Sequence, residues 1–158
     1  MRNYQSDPIE DTVVHEIIKA GQFAPTANNN RAVEFIVVQD PETKEKIYQV
    51  AEPHQDFVKA APILIIPISD TTKTNLPIPD LSLASQNMFL QATALGLWTV
   101  WKNFYPPVAE KVKDILHIPD RYHLVNAIVL GKPKKMPSPY TDAAFDPTKI
   151  HTGFYNRE

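Results

Sequence analysis

Apolar residues along this chain recur with two periods, helical and alternating, and the period switches at clusters of proline, asparagine and aspartate. Val13, Ile17 and Ala20, with Val14 and Ile18 beside them, are spaced for one face of a helix. Pro8-Ile9-Glu10-Asp11 opens that helix, which is predicted to run to about Phe23. The apolar run over 34–39 reads as a buried strand. Asp40 and Pro41 supply an N-cap and a proline at the first helical position, so 41–51 is a second helix with Ile47, Val50 and Ala51 facing inward. Residues 55–59 add a helical turn, 62–68 an apolar strand closed by Ser69-Asp70, and 71–79 a polar, proline-punctuated loop.

The longest and most apolar helix is predicted over 80–95. Leu81, Ala84, Met88, Gln91 and Leu95 lie near one stripe, and Leu83, Asn87, Leu90 and Ala94 near another. A helix apolar on more than one side is central or at an interface. Gly96 ends it, and a strand over 97–101, a helix over 106–116 and a strand over 124–130 complete the order. Strands interspersed with helices define an α+β or α/β class with one main sheet. Residues 132–158 form a long proline-rich tail with a late aromatic cluster, Phe145, Phe154 and Tyr155. Such a tail is expected to lie across another surface, such as a second subunit.

Composition narrows the function. The chain has 158 residues, so one domain over 1–158 is expected. A net charge of -2 argues against a nucleic-acid partner. The absence of cysteine removes disulfides, thiol nucleophiles and Cys-based metal sites. The histidines, His15, His54, His117, His123 and His151, show no H-x-x-x-H spacing, so no metal site is expected. No apolar run approaches the roughly 20 residues that span a bilayer, and no basic-then-apolar leader opens the chain. A cytoplasmic protein with no membrane partner is expected. With 15 prolines and 4 glycines there is no Gly-rich phosphate loop, so any phosphate must be held by side chains or helix N-termini.

One stretch stands out for candidate chemistry. Ala24-Pro25-Thr26-Ala27-Asn28-Asn29-Asn30-Arg31 joins a helix to the strand beginning near Phe35. It concentrates residues that bend the backbone and present amides, a hydroxyl and a cation. That suits a planar ligand with polar edges, and it equally suits a plain turn, because Asn tolerates left-handed backbone.

The order of motifs decides between these. The stretch resembles the Ala-Pro-Ser-Ala-x-Asn-x-Gln-Pro-Trp loop of the FMN-dependent nitroreductase family, with Asp40-Pro41-Glu42 after the following strand. Asp80-x-x-x-Ala84-x-Gln86-Asn87, running to Ala94-Leu95-Gly96-Leu97, resembles that family's central helix. Thr99-Val100-Trp101 stands where the family has Trp-Ile-Gly-Gly, and Leu130-Gly131-Lys132-Pro133 and Phe145-Asp146-Pro147 resemble its ending. The resemblance implies a nitroreductase-like α+β fold: a mixed central sheet flanked by helices, in an intertwined homodimer with an extended C-terminal tail. It implies FMN at the subunit interface, hydride from NADH or NADPH, and electrons passed in a ping-pong reaction to a small-molecule acceptor such as a nitroaromatic or quinone. The flavin carries the chemistry, so no catalytic side chain is expected.

Cofactor contacts implied by the resemblance are Arg2, Thr26, Ala27, Asn29, Arg31, Gln86, Trp101, Lys102, Asn103 and Phe104. Arg2 falls at the flavin pyrimidine edge, and Thr26 and Asn29 at the ribityl chain or ring edge. The backbone N–H of Phe104 falls at flavin N5. Asn103 and Phe104 replace small glycines, which implies a tighter pocket. Arg31 replaces the usual glutamine, and the tail's basic pair falls near 141–144, where no cation occurs. The family's upstream Arg and Ser fall before Met1. Lys134, Lys135 and Lys149 are the nearest substitutes for a phosphate, and weaker FMN binding is expected. Two alternatives remain open: a flavin-binding carrier with little turnover, and a helper subunit that keeps the fold for association alone.

Overall fold

The computed structural model describes residues 3–51, 55–135 and 138–155. Its helices are α1 (Asp11–Gln22), α2 (Pro41–Val50), α3 (Phe57–Ala60), α4 (Pro77–Ala94) and α5 (Pro106–Leu116). Its strands are β1 (Val33–Val38), β2 (Ile63–Asp70), β3 (Trp98–Asn103), β4 (Tyr122–Leu124) and β5 (Asn126–Gly131). The sheet order is β1-β2-β5-β3, with β4 also on β2. Every pairing among the described residues is antiparallel. The sheet has helices on both faces, as the α+β expectation has it, but the expected mixture of parallel and antiparallel strands is not seen among the described residues.

Alternation along the strands sorts the core. Leu64, Ile66 and Ile68 of β2, with Ala127 and Val129 of β5, join α2, α3 and α5 through Ile47, Val58 and Val112. Ile63 and Ile65, with Ile128 and Leu130, meet α1 and α4 through Val14, Ile17 and Met88. β2 is buried along its whole length, because it is paired on both sides and helices cover both of its faces. β1 was expected to be buried as well, but it is a sheet edge and much of it is half exposed.

Between the β2–β5 and β2–β4 registers, Ile66 and Pro67 face the three residues Val125, Asn126 and Ala127. This is a β-bulge, and it splits what sequence reads as one strand. Pro67 is tolerated in a central strand because it stands at the bulge, where the ladder is already broken. One position beyond Asn103↔Asn126, the β3–β5 ladder continues, and the Val125 carbonyl accepts from Phe104 N–H at 2.8 Å.

α4 starts three residues before its expected beginning, because Pro77 occupies the first turn, where its missing N–H costs nothing. Gly21 of α1 lies so close to α4 that a Cβ there would stand 2.8 Å from Met88 Cγ and 3.0 Å from the Phe35 ring. At the start of the chain, Asn3–Gln5 runs alongside Lys132–Lys134: Gln5 N–H donates to Lys132 O at 2.9 Å and Lys134 N–H to Asn3 O at 3.1 Å. Among the described residues no helix is long and apolar enough to cross a membrane.

Candidate functional site: two half-sites on opposite sheet edges

The loop before β1 is held in an unusual shape. A 3-10 turn spans Ala27–Asn29, and Asn28, Asn29 and Arg31 all have left-handed backbone, with φ of 52°, 54° and 51°. Asparagine accepts this conformation readily, whereas arginine does so at a cost. Side chains close the loop on itself: Thr26 Oγ1 accepts from Arg31 N–H at 3.1 Å, and Asn30 Oδ1 accepts from Ala32 N–H at 2.9 Å. Thr26 therefore keeps its hydroxyl proton for another acceptor. Ala27 spends its N–H on Asp80 Oδ1 at 2.8 Å, so it has none left for a ligand.

A cavity of about 640 Å³ opens against this loop and the end of α1, lined by Gly21, Phe23, Thr26, Asn29, Arg31 and Val33 among others. Arg31 Nε donates to Asn29 Oδ1 at 3.5 Å. The Asn29 amide N–H2 makes no hydrogen bond among the described residues. Among the described residues no carboxylate lies within ion-pair distance of the Arg31 guanidinium. The loop thus presents an amide donor, a hydroxyl and an uncompensated cation to one concave surface.

The second group sits elsewhere. Trp101 packs edge-on against Phe89 of α4, with ring centroids 6.3 Å apart, and its Nε1–H donates to Asn103 Oδ1 at 3.4 Å. Lys102 is buried and Asn103 exposed. Phe104 is 4% exposed and packs in the core, while it also lines a cavity of about 400 Å³ with Asn103 and Tyr105. It departs from expectation in one respect. Its N–H is committed to Val125 and is not free for flavin N5. Antiparallel alternation then turns the N–H groups of Trp101 and Asn103 to the open edge of β3.

The two groups do not meet within one chain. The loop leads into β1 and the Trp101–Phe104 segment ends β3, and these are the two edges of the sheet. Three strand spacings, roughly 14 Å, separate them. Both lie at the same end: Val33 is opposite Ser69 of β2, and Asn103 opposite Asn126 of β5. At that end two buried polar atoms, the Ser69 hydroxyl and Asn126 Oδ1, have no hydrogen-bond partner among the described residues. Asp70, also there, is held below the usual carboxylate range, chiefly by the Thr72 hydroxyl at 2.6 Å, then by the Thr72 N–H, Lys73 and Arg121.

Gln86 joins neither group; it lies on the exposed face of α4, in line with Leu83 and Leu90. Lys134 and Lys135 are exposed, and Lys149 stands 3.5 Å from Asp146. Arg2 lies outside the described residues. Sequence reading gave Asp80 no site role. Its one visible signal was a carboxylate at the head of an otherwise apolar helix, and its partners are distant in sequence.

A sheet with helices on both faces, a helix-to-strand loop of free donors and a long central helix define a class that comparison with known proteins identifies. The sequence profile of the Nitroreductase family matches residues 1–54 and 49–132, and the chain belongs to that family. A Methanothermobacter thermautotrophicus protein named "Putative NADH dehydrogenase/NAD(P)H nitroreductase" is 35% identical over 156 residues, 96% of this chain and 80% of that protein. The solved FMN-dependent nitroreductase of Clostridium difficile superposes with a TM-score of 0.91 at 28% identity, covering 98% of this chain and 94% of that one. The Bacillus subtilis protein named "FMN reductase [NAD(P)H]" is 25% identical, over 84% of this chain and 61% of its own length.

Proposed function

We propose that this protein is an FMN-dependent oxidoreductase that takes hydride from NADH or NADPH in the cytoplasm. It passes the electrons to a small organic acceptor such as a nitroaromatic or quinone, in alternating half-reactions, and it works as a homodimer. The observation that carries this reading is the left-handed loop, which turns Asn29, Thr26 and Arg31 onto one cavity with donor capacity unspent. Family membership and the FMN chemistry named for its relatives support it.

The residues present fit the ring end of a flavin. FMN, when bound, supplies the two-electron chemistry. The Asn29 amide and Thr26 hydroxyl donate to polar ring-edge or ribityl atoms, and the Arg31 guanidinium favours negative charge on the ligand beside it. The outward N–H of Asn103, in place of Phe104's, offers a donor at the open edge of β3. Among the described residues, Lys134 and Lys135 are the cations we assign to the phosphate. Lys134 and Lys135, beside the N-terminal segment, would act as point charges without a bidentate fork, which favours modest affinity.

The homodimer reading rests on the surface as well as on the split site. α4 exposes Leu83 at 45% and Leu90 at 62%, one heptad apart, with Gln86 between them. In the tail Tyr140, Phe145, Phe154 and Tyr155 are all exposed. Apolar area of this extent is covered in a working molecule.

The test is titration of the purified protein with FMN, followed by flavin fluorescence, then anaerobic mixing with NADH or NADPH. Saturable binding and rapid loss of the visible flavin band are expected. No binding up to about 100 μM, where even a weak specific site would show, overturns the reading. Binding without bleaching leaves the carrier reading in its place.

A further inference from the structure

We propose that Asp80 is the positioning residue of the flavin-edge loop: from the head of α4, its carboxylate fixes the conformation in which Asn29 and Arg31 face the cavity. This inference rests on the FMN reading above.

Asp80 is 1% exposed and lies in the first turn of α4. A buried carboxylate persists only when its oxygens are hydrogen-bonded. Asp80 has three donors, from two segments outside its helix. Oδ1 accepts from Ala27 N–H at 2.8 Å. Oδ2 accepts from the Thr74 hydroxyl at 2.9 Å and the Asn30 amide at 3.5 Å. The N-terminal end of α4 adds its own favourable field for a negative charge.

Two of the three donors belong to the loop, and they bracket Asn28 and Asn29. The loop's internal bonds set its shape, but they do not set its orientation against the body of the protein. At its far end the chain is tied to β2 by Asp70 N–H donating to Ala32 O at 3.0 Å. Near the turn the tie is Asp80. Three left-handed residues in a run of four hold only where the surroundings over-determine them, and Asp80 supplies that constraint.

The chemistry demands a carboxylate. All three groups facing it are donors, and only a side chain with acceptors alone satisfies them together. In Asp80→Asn, one oxygen can still serve Ala27, and the Thr74 hydroxyl can turn to accept. The new amide then confronts the Asn30 amide, whose own oxygen already accepts from Ala32.

The test compares Asp80→Ala, Asp80→Asn and Thr74→Ala with the parent protein, reading FMN affinity, the visible circular dichroism of bound flavin and exchange of the Ala27 amide. Thr74→Ala loosens the carboxylate without touching its loop bonds. Asp80→Ala is expected to weaken FMN binding at least tenfold, alter the flavin dichroism at saturation and speed Ala27 exchange. Asp80→Asn should fall between, and Thr74→Ala close to the parent. Asp80→Asn serves if Asp80→Ala does not fold. Parent-like affinity, dichroism and Ala27 exchange in the Asp80 variants overturn the proposal. So does an equal loss in Thr74→Ala, which would mark Asp80 as a general fold residue. If the parent itself binds no FMN, the functional reading fails. Ala27 exchange in the unliganded variants then still decides whether Asp80 holds the loop.

Discussion

Arg31 carries a conformational cost that its neighbours do not. At φ 51° its Cβ is crowded by its own backbone, which costs about 1–2 kcal/mol for a residue with a β-carbon. Glycine removes that cost but loses about 0.5–1 kcal/mol through the freedom it gains in the unfolded chain. Arg31→Gly should therefore melt within a few degrees of the parent, or slightly above it. The same change removes the cation from the cavity, so FMN affinity should fall several-fold. A thermal melt and a flavin titration on one preparation check both halves. A large drop in melting temperature would mean that the guanidinium holds the loop together, and that its strain is structural rather than functional.

The close crossing of α1 and α4 shapes one wall of the same cavity, because Gly21 both touches Met88 and lines the opening. A methyl at Gly21 must displace Met88, so Gly21→Ala should destabilise by about 1–3 kcal/mol in chemical denaturation. Met88→Ala alone leaves a void and costs about 2–5 kcal/mol. The double variant should cost less than the two together, since the new methyl occupies space that Met88 vacates. Strict additivity would show that the helices shift instead. Much at this scale was legible in the sequence. α5 was placed to the residue by its opening prolines, and the start of α2 by Asp40, whose side chain accepts from Thr43 N–H at 2.7 Å. What failed to show was non-local. The bulge at Val125 depends on the register against β2, and the Phe104 N–H is taken by the β3–β5 ladder, which runs on to Val125. The loop's chemistry was visible in Thr26, Asn29 and Arg31. Its anchor was not, because Asp80 lies more than 50 residues along the chain from the amide it holds, a separation of 53.

The whole molecule is where the two half-sites must be reconciled, since the sheet that builds both holds them roughly 14 Å apart. If a second copy brings the β3 end of one chain to the loop of the other, each site draws on both chains, and the twofold makes two such sites. Complementation separates this from a site within one chain. One variant disables the loop: Asn29→Ala with Arg31→Ala. The other, Asn103→Pro, removes an outward N–H on an edge strand, where proline spares the ladder. Each variant alone should bind FMN poorly. Unfolded together and refolded at equal concentration, they form mixed dimers in which one site takes its loop from the Asn103→Pro chain and its β3 end from the loop variant. That site is intact, and the other carries both lesions. With random pairing, about a quarter of parent sites should return. The count is read from flavin fluorescence at saturating FMN, with the separately refolded variants as the baseline. Recovery near that fraction locates the site between chains. No recovery, with mixed dimers confirmed by mass, would place the site within one chain.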